Sequence, residues 1–348
     1  MRHPTRSVLL AACSLTALLW LSWAHADDSY RLLQTYHFAA APGSSSEYFD
    51  YVTVDPAARR VYLSRGTAVQ IIDADSGASI GMVPGFKREH GVALAPELGR
   101  GFISDGKLGT ITVFDLKTLQ RIATVKADPD ADCVLYDPAT KRVLSMNGDG
   151  NSATVADAKS GQLIKTIALG GAPEFAVADG SGTVFANLAD KDQIVAIDSR
   201  SLQIKARWPT APEGEPTALA IDREHHRLFS AGRKPQQLIV MDAGTGHIIQ
   251  SFPISAGVDA AAFDLQTGTV FVSTREGKLH LFHEDSPDSY REIATVSTEF
   301  GAKTMGLDSK THRVFLDTAD FSADKTAGSG TGQRAPVLGT FRVLVYGP

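Results

Sequence analysis

Short apolar or alternating runs bounded by Asp, Gly, Ser or Pro recur along almost the whole chain, and helical periodicity is absent. Three landmarks repeat in fixed order. The first is an apolar run that closes on a turn: Val52-Thr53-Val54-Asp55, Val92-Ala93-Leu94-Ala95 and Val134-Leu135-Tyr136-Asp137, then the runs ending at Asp179, Asp222, Asp264 and Asp308. Successive spacings are 40, 42, 42, 43, 42 and 44 residues. The second is a β-branched or aromatic run, as in Val61-Tyr62-Leu63-Ser64, Gly101-Phe102-Ile103-Ser104 and Val270-Phe271-Val272-Ser273. The third alternates and ends in Asp and a turn, as in Val69-Gln70-Ile71-Ile72-Asp73, Ile111-Thr112-Val113-Phe114-Asp115 and Leu238-Ile239-Val240-Met241-Asp242. A weaker fourth strand follows each, such as Arg121-Ile122-Ala123-Thr124-Val125.

Four short strands in each repeat of this length describe one blade of a propeller. The pattern therefore predicts an all-β, seven-bladed β-propeller with four-stranded antiparallel blades, the seven repeats filling residues 48–348. The last repeat stops at its third strand, Phe341-Arg342-Val343-Leu344-Val345-Tyr346. An N-terminal strand, Tyr30-Arg31-Leu32-Leu33-Gln34-Thr35-Tyr36, has no blade of its own, so it is expected to close the last blade and leave the ring without an open edge. Asp55, Asp137, Asp222, Asp264 and Asp308, and a second series at Asp73, Asp115, Asp157, Asp198 and Asp242, fall at turns where Asp bonds the backbone two residues on. They are read as scaffold, with Gly77, Gly161 and Gly246 supplying positive φ.

The strand runs such as Val61-Tyr62-Leu63-Ser64, and the Asp-x-x-x-Gly turns such as Asp73-Ala74-Asp75-Ser76-Gly77, resemble the YVTN-repeat, YncE-like β-propeller family of exported bacterial proteins. The stretches Gly171-Ala172-Pro173-Glu174-Phe175, Gly257-Val258-Asp259-Ala260 and Gly301-Ala302-Lys303-Thr304-Met305 share that likeness. The match is to the repeat pattern, since the tetrapeptide that names the family is not present intact. The resemblance implies an exported propeller that binds a ligand or partner. It implies no single reaction.

Residues 1–26 read as a cleaved secretory signal peptide: Arg2 and Arg6, an apolar run over 7–24, then Ala24-His25-Ala26. The run is short for a membrane anchor, and the apolar core follows Cys13 where a lipobox would place it before. A single propeller domain over 27–348, periplasmic, monomeric and without a membrane span, is expected to remain. Removing the leader with its two arginines takes the formal net charge from −5 to −7. That balance speaks against a nucleic-acid partner. The remaining cysteine, Cys133, sits in an apolar stretch and reads as a buried hydrophobe.

Stepping back five residues from each first landmark gives Asp50, His90, Asp132, Glu174, Thr217, Asp259 and Lys303, with Glu215 two residues before Thr217 on what strand alternation makes the same face. The first strand of a propeller blade lines the central channel. A shared register thus predicts a ring at the channel mouth: Asp50, His90, Asp132, Glu174, Glu215, Asp259 and Lys303. Like charges about 8 Å apart repel by roughly 2 kcal/mol at an effective dielectric near 20, so an acidic ring invites a cation, raised pKa values or bound water.

Three functions stay open. One is a binding protein for a small molecule, a cation or an envelope partner at the mouth. Another is a divalent-metal-dependent lactone or ester hydrolase, its ion (Ca²⁺ or another) held by His90, Asp132, Glu174 and Asp259. The third is an envelope interaction scaffold. No nucleophile elbow, zinc-protease helix motif or phosphate loop competes. Asn147-Gly148-Asp149-Gly150-Asn151 lacks the downstream Glu of a calcium loop and reads as a turn. His225, His226 and His312 are placed in turns without metal-ligand partners, and Trp208 in inter-blade packing. Residues from about 318 to 339, rich in Gly, Ser, Thr and Ala, are expected to form a flexible insertion on the same face as the ring.

Overall fold

The computed structural model describes residues 30–325 and 334–348, without the side chains of 324 and 325. The expected signal peptide and part of the insertion lie outside these residues. No helix among the described residues is long and apolar enough to cross a membrane.

Seven four-stranded antiparallel sheets form the blades of the propeller. The first blade comprises Val52–Asp55, Arg60–Ser64, Ala68–Asp73 and Ser79–Pro84, hydrogen-bonded in sequence order. The second to sixth blades repeat that order from Glu89–Ala95 onward. In the seventh blade Met305–Asp308, Arg313–Thr318 and Arg342–Gly347 are followed by Arg31–His37, so the N-terminal strand supplies the outer edge as its sequence foretold. Its register runs from Arg31 opposite Gly347 to His37 opposite Arg342.

The middle strands read as continuous apolar runs because each blade is covered on both faces by its neighbours. Tyr62, Ile71 and Val83 of the first blade meet Val92, Ile103 and Phe114 of the second in one buried cluster. Val61 and Leu63 meet Phe315, Phe341 and Val343 across the closing seam. Each such side chain contributes roughly 1.5–3 kcal/mol by leaving water. Outer strands have only one covered face, and Arg121–Lys126 accordingly buries Val125 alone. Both Asp series make the expected turn bonds; Asp73 Oδ1, for example, accepts the amides of Asp75 and Ser76 at 3.2 and 2.8 Å. Cys133 is buried, and burial pushes its thiol up to about 12. Trp208 stacks on Phe185, their centroids 6.0 Å apart.

One polar contact pins the closure. Arg65 is fully buried, and its guanidinium donates to Gln70 Oε1 at 2.6 Å, to the Ala39 carbonyl at 2.9 Å and to Glu47 Oε1 at 3.0 Å. It also lies 3.8 Å from the centre of the Phe341 ring. Glu47 Oε2 in turn accepts the Gly339 amide at 2.8 Å. First blade, N-terminal segment and last blade therefore meet at one ion pair.

Arg65→Met leaves the Glu47 carboxylate buried without its cation and is expected to cost about 3–5 kcal/mol in urea unfolding; an unchanged midpoint sinks the assigned role. Glu89 is a second lever on stability. Its carboxyl is wholly buried, and burial outweighs its hydrogen bonds to push it up to about 8. A carboxyl raised in the folded state binds its proton more tightly there, so its contribution is full below the unfolded value and is lost as pH climbs to about 8. Glu89→Gln is therefore expected to gain stability relative to the parent, by on the order of a few kcal/mol, between pH 4.5 and 8. Parallel pH profiles for the two proteins contradict this.

Candidate functional site

The first strand of each middle blade carries a β-bulge at its mouth end. Register shifts fall between Glu89 and Val92, Ala131 and Val134, Pro173 and Ala176, Pro216 and Ala218, and Val258 and Ala260. His90, Asp132, Glu174, Thr217 and Asp259 each lie within one of these shifts. A bulge bends the strand and re-aims the side chain it holds. Ser104 on a second strand fastens two of the bulges: its hydroxyl accepts the Gly91 amide and donates to the Asp132 carbonyl. In the first and last blades the strands begin later, at Val52 and Met305, and Asp50 and Lys303 precede them.

Six of the seven expected ring residues share a cavity of about 360 Å³: Asp50, His90, Asp132, Glu174, Asp259 and Lys303. Glu215 is not brought to it. Glu215 has φ 50°, so the strand starts only at Pro216 and side-chain alternation does not reach back. Its carboxylate instead faces Lys234 at 2.9 Å on the surface. Thr217 is buried and donates to the Glu215 carbonyl.

The cavity is less acidic than the ring register implied. Arg88 and Arg233 line it as well, together with Tyr51, Asp130 and Asp149. Asp259 binds both Arg233 and Lys303, and the Lys303 ammonium lies 4.0 Å from Asp50. On the other side His90 Nδ1 is 2.8 Å from Asp50 Oδ2 and 3.3 Å from Asp132 Oδ1, and the Tyr48 hydroxyl donates to Asp50 at 2.8 Å. Burial disfavours the His90 imidazolium, yet the bond to Asp50 and the charge of Asp132 push it up to about 9. Burial works against the Asp50 carboxylate too, but His90 and Lys303 hold it below the usual range. Asp132 comes out the other way: burial outweighs the charge of His90 and holds it well above that range. Burial also raises Glu174, against the pull of Arg233.

The four expected metal ligands do not converge. The ligand atoms that lie within 4.8 Å of one another here belong to Asp50, His90 and Asp132, while Asp259 is committed to Arg233 and Lys303. His90 Nε2 is buried without a hydrogen-bond partner, and Asp130 Oδ1 stands 3.9 Å away.

Charge is segregated around the mouth. The third and fourth blades supply Asp130, Asp132, Asp149 and Glu174, whereas the fifth to seventh supply Arg233, Arg275 and Lys303 with the single carboxylate Asp259. Arg233 and Arg275 each stand one residue past the strand position paired with the bulged strand's first residue. The equivalent residues of the second and third blades are Gly106 and Gly148. A Cβ at Gly106 would meet His90 Nε2 at 2.7 Å and Asp130 Oδ1 at 2.8 Å, so glycine there leaves room for the acidic wall. Along the second to sixth blades this position reads Gly106, Gly148, Ala189, Arg233 and Arg275, a change from small to cationic that only the strand pairing exposes.

A wider cavity of about 590 Å³ opens outward from the mouth, sharing Asp50, Arg88, Arg233 and Lys303. Its rim includes Phe321, Arg334, Ala335 and Pro336 of the last-blade insertion. That insertion is ordered where it is described: Phe321–Lys325 pairs antiparallel with Arg334–Pro336. The Phe321 ring packs on Phe300 with centroids 5.0 Å apart, and the Arg275 guanidinium lies 5.6 Å from both rings.

No protein-family model matches the chain, and no curated protein matches it. Solved structures do. The WD40 repeats of RRP9 give a TM-score of 0.72 at 10% identity over 90% of this chain and 100% of that one. U3-55K gives 0.72 at 10% identity over 92% and 98%. A chain of the Mitotic Checkpoint Complex gives 0.73 at 12% identity over 100% and 99%. At these identities the likeness is one of fold: this chain is a seven-bladed β-propeller with WD40-like structural neighbours.

Proposed function

We propose that the protein is an exported β-propeller binding protein whose ligand is a small dipolar molecule held in the channel mouth. The observation that carries this is the segregation of charge across the two adjoining cavities of the mouth. A cationic group of the ligand meets Asp132 and Glu174, whose carboxyls burial raises above their ordinary range. An anionic group meets the arc of Arg233, Arg275 and Lys303. Concave sites with a few convergent polar groups are where small molecules bind, and perturbed titratable groups mark them. Periplasmic export rests on the signal-like segment 1–26, and placement among YVTN-repeat, YncE-like propellers rests on the repeat pattern.

The metal-dependent hydrolase has one observation in its favour, the close approach of Asp50, His90 and Asp132. Against it, the His90 nitrogen nearest both carboxylates carries a proton at neutral pH, which an ion must displace. A scaffold role draws on the fold it shares with the chain of the Mitotic Checkpoint Complex. It predicts partner binding that survives neutralising Asp132 and Glu174.

A thermal-shift screen of amino acids, betaines and diamines tests the proposal, with Asp132→Asn and Glu174→Gln as probes. Burial disfavours the charged form of both carboxyls, so each isosteric amide variant is expected to fold with a stability close to the parent's. Each is expected to weaken the bound cation about tenfold, or ~1.4 kcal/mol. Ligands that bind both variants as tightly as the parent overturn the proposal. Binding should also strengthen as pH rises, because a cation drives proton release from carboxyls whose pKa is raised. Calorimetry in two buffers of different ionisation enthalpy reads that release, and its absence contradicts the assignment of these two residues.

A further inference from the structure

We propose a second, independent site: a divalent-cation site at the seam between the fifth and sixth blades, on the face opposite the mouth, formed by Asp222, His225 and Glu284. Asp222 ends the first strand of the fifth blade, Pro216–Asp222, which starts at the mouth. Glu284 lies near the end of the third strand of the sixth, Lys278–Ser286, which runs the same way. Their ligand atoms and His225 Nδ1 lie within 4.8 Å of one another.

The repeat itself makes Glu284 conspicuous. It follows the residue paired with the start of the second strand, as Ala74, Leu116, Ala158, Ser199 and Ala243 do in other blades. Those five are uncharged. Where such seams do hold a polar pair, the buried Asp meets a neutral or basic partner: Ser199 donates to Asp137 at 2.6 Å, Arg59 pairs with Asp308, and His312 with Asp264, at 2.5 Å each. Among the described residues, only at this seam does a second carboxylate face the turn Asp. Two carboxylates about 4 Å apart repel by about 4 kcal/mol at an effective dielectric near 20.

The single imidazole cannot satisfy both. His225 Nδ1 is 2.8 Å from Asp222 Oδ2 and 2.9 Å from Glu284 Oε1, but it has one proton to give. The Asp222 side chain is 0% exposed and that of Glu284 6%. Neither Glu284 oxygen has a hydrogen-bond donor, and the nearby Tyr290 hydroxyl is also buried without one. Arg227 is committed elsewhere, to Asp242 at 2.9 Å and Asp288 at 2.8 Å. Two buried carboxylates and an imidazole nitrogen on one point form the donor set of a divalent transition-type ion such as Zn²⁺. His225 is 40% exposed and borders a surface cavity of about 360 Å³, which leaves an entry path and room for water on the ion.

Zn²⁺ itself is the probe. Protein stripped with chelator is titrated with Zn²⁺ by calorimetry, beside Glu284→Ala and, as a control for the mouth, His90→Gln. Alanine already occupies the equivalent position in three other blades, so Glu284→Ala is expected to fold, with a metal-free melting temperature at or above that of the parent. The expected result is one Zn²⁺ per chain bound by parent and by His90→Gln, weakened by more than about 100-fold in Glu284→Ala. The proposal is overturned if Glu284→Ala matches the parent in stoichiometry and affinity, whether both bind or neither does. It is equally overturned if only His90→Gln loses the ion.

Discussion

A ring of blades has no covalent clasp, so its integrity rests on the edge where the last strand laid down meets the first. Arg342–Gly347 offers that edge and Arg31–His37 takes it. Six antiparallel pairings do the joining, and Arg65 ties the neighbouring elements to them through Glu47, Ala39 and the face of Phe341. Burying an arginine is expensive unless its charge and its fork find partners, and here both terminal nitrogens do while Nε has none. Here the fork's partners come from segments far apart in the chain, so the desolvation cost is offset only when the ring is closed.

From that closed frame the mouth follows. Each first strand enters the channel from the same end, and in the five middle blades a bulge at the same offset re-aims one side chain. Neutralisation is then settled locally. Asp50 and Asp132 share His90, Asp259 takes Arg233 and Lys303, and burial raises the carboxyls of Asp132 and Glu174. The acidic ring expected from register thus becomes two opposed walls, and the need for a cation at its centre is largely met by the protein's own arginines.

Much of this was legible in the chain, because a propeller repeats its grammar. The spacing of Asp55 to Asp308, the orphan strand before residue 40 and the register of Asp50, His90, Asp132, Glu174, Asp259 and Lys303 needed only periodicity. Glu215 misled because alternation holds only inside a strand, and its positive φ lies just outside one. Arg233 and Arg275 were overlooked because they sit on second strands and in the loops beyond, where register with the first strand is visible only once pairing is known. The turn Asp residues were read as serving their own turns, which they do. Their additional ties across blade seams, Asp308 to Arg59 and Asp264 to His312, span 249 and 48 residues and leave no local trace. The insertion looked shapeless by composition, yet Phe321 anchors it on Phe300.

The recurring bulge has a consequence for how such a protein changes over time. It fixes where a side chain points without fixing what the side chain is, since the bend is held by backbone groups and by a neighbouring serine such as Ser104. The lining of the mouth is therefore separable from the stability of the ring. The lining positions change as bonded groups, Asp50 with His90 and Asp132, and Asp259 with Arg233 and Lys303, so a lineage can explore new ligands by paired substitution at a handful of sites while the hydrophobic seams between blades stay untouched.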